Sequence, residues 1–113
     1  MPHVIIELPS KLAHDAKVAA LLDAVHATVS ATSLFEIENI KTRVVTFNHY
    51  RLGTTNESFV HVQCRIHPGR SEQQKKTLSE AILSAVRVQA LPVSIITVEV
   101  VEMDRVTYAK CVG

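Results

Sequence analysis

The chain has 113 residues, a formal net charge of +1 and 47% apolar residues. That length suits one domain around one core, and the near-neutral charge, without any basic run, argues against a nucleic-acid or anionic-membrane partner. Two tyrosines, three phenylalanines and no tryptophan leave the core to Val, Ile, Leu and Ala. No apolar stretch approaches membrane-spanning length and no signal peptide precedes the first predicted strand, so a cytoplasmic protein is expected. Cys64 and Cys111 lie far apart, without CxxC or zinc spacing, and read as reduced structural thiols.

The opening stretch Met1-Pro2-His3-Val4-Ile5-Ile6-Glu7 contains a β-branched run that predicts a buried strand directly behind the proline. Processing favours a small second residue, so trimming of an initiator Met would leave Pro2 at the N-terminus. Its nitrogen would then be a secondary amine, a base that no side chain supplies. Leu8-Pro9-Ser10 predicts a strand end and a helix start with Ser10 as N-cap. The Ala- and Leu-rich stretch from Lys11 to Ala31 predicts a helix of roughly five turns, apolar over much of its circumference. Thr32 to Asn39 is a connection, and Lys41 to Arg51 a second strand. Leu52-Gly53-Thr54-Thr55-Asn56-Glu57 is a turn.

Phe59 to Ile66 alternates, with Val60, Val62, Cys64 and Ile66 on one face and His61, Gln63 and Arg65 on the other. After His67-Pro68-Gly69, the spacing of Ser71 and Gln74 is that of a capping box. The helix behind it carries Leu78, Ala81, Ile82, Ala85 and Val86 on one stripe, and Pro92 stops it before a last strand from Ser94 to Met103. The order β-α-β, turn, β-α-β, with faint similarity between the two parts, predicts one domain over 1–113 made of pseudo-repeats at about 1–52 and 58–113. The fold expected is two-layer α+β, a four-stranded mixed sheet with two helices on one face. The other sheet face would be left bare and rich in apolar residues, which predicts self-association.

Gly69-Arg70-Ser71 places an arginine at the mouth of the second helix, where free N–H groups and the helix dipole favour an anion and a guanidinium can grip a carboxylate bidentately. Arg70 is read either as a surface residue beside a cap or, if the start of strand three lies beside strand one, as a neighbour of Pro2. Lys41 and Arg43, two apart on a strand, share a face and form either a solvated edge or a second cationic site near Pro2. Nearby cations and burial would lower the pKa of the amine and leave it a free base at neutral pH. The six histidines show no metal-ligand spacing, and neither a nucleophile elbow, a P-loop nor a Rossmann glycine pattern is present.

Taken together, Met1 to Glu7, Ile40 with Arg43-Val44, Phe59-Val60-His61-Val62, Gly69-Arg70-Ser71 and Val98 to Glu102 resemble the 5-carboxymethyl-2-hydroxymuconate Δ-isomerase family of the tautomerase superfamily. The resemblance spans nearly the whole chain. It implies a cofactor-free homotrimer with Pro2 as catalytic base and Arg70 as a substrate-binding arginine; beside them, Lys41 and Arg43 are expected as further substrate-binding cations, and no metal is expected. The implied substrate is a small unsaturated di- or tricarboxylate in the bacterial breakdown of homoprotocatechuate. Lys41 stands where the family has another binding arginine, and the loop from Leu52 to Ser58 and the C-terminal tail look short for the family. Related alternatives are phenylpyruvate tautomerisation and haloacrylate hydration; a non-catalytic trimeric binding module is a further one.

Overall fold

The computed structural model describes residues Met1–Gly113. Its elements are β1 (His3–Pro9), a 3-10 turn (Ser10–Leu12), α1 (Asp15–Ala31), a second 3-10 turn (Ile37–Asn39), β2 (Lys41–Phe47), β3 (Phe59–Ile66), α2 (Glu72–Val88) and β4 (Ile95–Glu102). The sheet runs β2-β1-β3-β4, with β1 parallel to β2, β3 parallel to β4, and β1 antiparallel to β3 at the centre. Both helices cover one face, so the expected tautomerase-like two-layer fold is present.

Strand alternation produces the core. Val4, Ile6 and Leu8 of β1 and Val60, Val62, Cys64 and Ile66 of β3 point toward the helices, where Leu21, Val25 and Val29 of α1 and Leu78, Ile82 and Val86 of α2 meet them. Burial pushes the Cys64 thiol up to about 12, so it stays an inert thiol. On α1 only three of seventeen residues are buried, Leu21, Val25 and Val29, and Ala16, Ala19, Ala20 and Ala27 remain exposed. Alanine supplies helix propensity there without demanding a partner.

Four local expectations need correction. Ser10 does not cap α1: its hydroxyl donates to the Phe47 carbonyl (3.3 Å) and contacts the Asn48 side chain, tying the exit of β1 to that of β2. The helix itself starts at Asp15, behind His14. β2 ends at Phe47, short of Arg51, because β1 offers no partner beyond Pro9. The end of β3, not its start, lies beside the start of β1, since the central pair is antiparallel and His3 faces Arg65.

The bare face is also less apolar than expected. Cross-strand rows read Lys41-His3-Arg65-Val101, then Arg43-Ile5-Gln63-Glu99, then Val45-Glu7-His61-Thr97. His61 bridges Glu99 (2.5 Å) and Thr97 (2.7 Å), whereas Phe47, Tyr50 and Phe59 form an aromatic cluster at the far end, with ring centroids 5.2–5.9 Å apart. The physical reason is the period of two. The helix-facing positions take most of the aliphatic residues, leaving polar ones opposite.

Candidate active site

Pro2 is buried, and its carbonyl accepts the Lys41 N–H at 3.0 Å. The start of β1 is held between the start of β2 and the end of β3, which leaves Pro2 buried and Met1 half-buried. The Met1 amine donates to the Asn39 carbonyl at 3.1 Å, and the Met1 sulfur accepts the His67 backbone N–H at 3.3 Å. Burial, then the Lys41 ammonium through its hydrogen bond and charge, then Lys110, lower this amine from 8.0 to about 5. Each of these effects disfavours a second positive charge.

Arg70 reaches the same place from α2. Gly69, at φ 128°, turns the chain out of β3, and the capping box of Ser71 and Gln74 (3.1 and 2.8 Å) starts the helix behind it. Arg70 then donates to the Leu34 carbonyl at 2.6 Å and lies over the Phe35 ring, 4.8 Å from its centroid. Met1 and Arg70 line one cavity of about 300 Å³, together with Ser33, Leu34, Phe35, Glu36 and Asn39. Gly69→Ala has no steric neighbour to displace, so its cost is backbone strain. We expect a loss of about 1–3 kcal/mol, measured as a lower thermal midpoint, together with weaker substrate binding as Arg70 is mis-aimed.

The other two cations separate. Lys41 Nζ donates to the same Asn39 carbonyl as the Met1 amine, also at 3.1 Å, and so stands beside the N-terminus. Arg43 projects onto the bare sheet face, where its guanidinium meets His3 Nδ1 at 3.2 Å; neither cation is among the residues that line the cavity. Sequence reasoning passed over the connection that supplies Phe35, Glu36 and the Leu34 and Asn39 carbonyls. Phe35, one of only three phenylalanines in the chain and placed in a connection, was the available signal. It also passed over Tyr108, whose hydroxyl sits 2.9 Å from His3 Nε2. A larger depression of about 580 Å³ lies at the opposite end of β1, among Lys11, Asn48, His49, Tyr50, Arg51 and Asn56. It lies away from the N-terminus, so the smaller cavity, which holds the depressed amine and a guanidinium, is the better candidate.

The sequence model of 5-carboxymethyl-2-hydroxymuconate isomerase matches residues 2–110. The chain belongs to that family. Among individual relatives of this isomerase family, the chain is 26% identical over 89 residues to the 5-carboxymethyl-2-hydroxymuconate Delta-isomerase of Escherichia coli, covering 77% of this chain and 71% of that enzyme. Its fold is shared with a 5-carboxymethyl-2-hydroxymuconate isomerase from Deinococcus radiodurans, at TM-score 0.84 and 24% identity over 97% of this chain and 88% of that one. It is shared also with a wild-type fused 4-OT symmetric trimer, at TM-score 0.83 and 16% identity over 98% of this chain and 93% of that one.

Proposed function

We propose that this member of the isomerase family moves a proton within a small unsaturated di- or tricarboxylate, with Pro2 as general base once Met1 has been removed. The observation that carries the proposal is the shared cavity: the start of the chain and the Arg70 guanidinium line the same space. In the reaction, the Pro2 nitrogen takes the enol O–H proton, and the electron pair shifts along the conjugated system. The same nitrogen returns the proton to a carbon further along, so no atom or electron is gained or lost. Arg70 and Lys41 hold carboxylate groups and offset the charge of the dienolate, and no cofactor is required.

The oligomer in this reading is a homotrimer, as is the fused 4-OT relative. Lys41, Arg43 and Arg65 on the bare face make no ion pair within the chain, nor does Glu7, which suits packing against further copies. Sedimentation should give three times the chain mass.

The deciding experiment follows the ultraviolet absorbance of a 2-hydroxymuconate-type dienol, using protein whose N-terminus is established as Pro2 by mass spectrometry. A panel with phenylpyruvate enol and a haloacrylate separates the related activities. Absence of dienol turnover by the trimmed protein overturns the proposal. The pH dependence follows from the amine. Its basic form is the active one, so kcat/KM falls as pH drops through the amine pKa. If burial and the Lys41 charge act on the Pro2 amine as they do on the Met1 amine, its pKa is lowered too, and activity should persist well below the pH at which an unshifted amine loses it. An unshifted secondary amine would already lose activity near pH 8.

A further inference from the structure

We propose that Tyr108 is a hydrogen-bond donor to the substrate, reaching the space that Met1 gives up, and that His3 and Arg43 are positioning residues that hold it ready. This rests on the isomerase reading above. After β4 the chain turns back along the β3–α2 connection. The Met103 N–H bonds the Ile66 carbonyl (2.7 Å), Arg105 donates to the Pro68 carbonyl (3.0 Å), and the Tyr108 N–H closes a turn on Asp104 (3.1 Å). That path seats the Tyr108 ring edge-on against His67, with centroids 4.9 Å apart, and against His3, 6.0 Å away.

The direction of the hydrogen bonds at Tyr108 follows from the donor inventory. A guanidinium can only donate, so Arg43 donates to His3 Nδ1 across 3.2 Å. A neutral His3 therefore carries its proton on Nε2 and donates it across 2.9 Å to the Tyr108 oxygen. The Tyr108 proton must then point away from His3. It is not spent on His67 either, whose Nδ1 is buried without any partner. Protonating His3 would set an N–H against the Arg43 donor. Burial comes first in holding the ring neutral, followed by the surrounding charges of Arg43, the N-terminal amine, Lys41 and Arg65. A chain of donors that begins on a cation polarises its last member, so Tyr108 ends it as a strengthened donor.

Met1 lines the cavity and also contacts His67, against whose ring Tyr108 packs. Its sulfur occupies the His67 backbone N–H, so losing Met1 frees that second donor beside Tyr108. Two donors and the nearby Lys110 ammonium suit an oxygen carrying negative charge, such as the dienolate oxygen.

The test uses the full chain beginning at Pro2. Tyr108→Phe removes one oxygen and should lower kcat for the dienol about tenfold or more with little change in KM, because the bond strengthens as the oxyanion develops. Val106→Ala, at an exposed position of the same tail, should stay within about twofold of wild type. Nitrogen-15 spectra of His3 should show the Nε2–H tautomer, which Arg43→Gln releases. The proposal is overturned if Tyr108→Phe retains wild-type kcat, if Val106→Ala lowers kcat as much, or if His3 carries its proton on Nδ1. A trimmed wild-type protein without dienol turnover defeats the isomerase reading itself, whereas turnover with an unaffected Tyr108→Phe defeats only the role of Tyr108.

Discussion

Protein that keeps Met1 should isomerise a 2-hydroxymuconate-type dienol about 100- to 10,000-fold more slowly than the same chain beginning at Pro2, the span a well-placed general base contributes. Two physical effects act together. While Met1 is attached, the Pro2 nitrogen is an amide with no basic lone pair, and Met1 itself lines the cavity that the substrate needs. The Met1 amine, lowered to about 5, is a free base at neutral pH, yet it sits one residue out and donates to the Asn39 carbonyl. It can supply residual activity at most. Pro2→Ala in trimmed protein should fall between these limits. A primary amine survives at that position, but the ring that fixes its direction does not. Parallel kinetics on samples separated by intact mass are the check, and equal rates for the two forms would remove Pro2 from the chemistry.

Arg70→Ala should reduce kcat/KM by about 100-fold, chiefly through KM. A charge-assisted, bidentate grip on a carboxylate contributes roughly 1.5–3 kcal/mol, and a group held equally in substrate and transition state acts on binding. One N–H of the guanidinium is committed to the Leu34 carbonyl at 2.6 Å, so most of its donors remain open to the cavity. The same bond and the stacking over Phe35 mean that Arg70 also restrains the connection after α1. Arg70→Lys separates the two roles. It retains the charge but neither the fork nor the stacking plane, and should recover no more than about a tenth of wild-type kcat/KM. Unchanged KM in Arg70→Ala, with the fold intact by circular dichroism, would place the carboxylate elsewhere.

The legible parts of this chain were those set by neighbours a few residues apart. The alternation from Phe59 to Ile66 and the capping box at Ser71 and Gln74 appear in the structure at the predicted positions. Ser10 shows the limit. Its local context is that of an N-cap, but β2, more than thirty residues away, competes for the hydroxyl and wins it. The apolar character of α1 hid how few of its residues are needed inside, because alanine serves helix formation as well as burial. Lys41 and Arg43 share a strand face as their spacing requires. Their surroundings nevertheless differ, since one meets the Asn39 carbonyl and the other His3.

By itself the sequence determined that a proline stands at the head of a buried strand, that an arginine precedes a capped helix, and that aliphatic residues alternate so as to build a two-layer core. Those are properties of short-range periodicity and of residue type. Only the tertiary structure decided that the two meet. The antiparallel pairing of β1 with β3 brings the end of one strand to the start of the other, which delivers Arg70 and the tail bearing Tyr108 to the N-terminus. Strand pairing of that kind is fixed by how the crossover helices pack on the sheet, a long-range balance that no local pattern of side chains records.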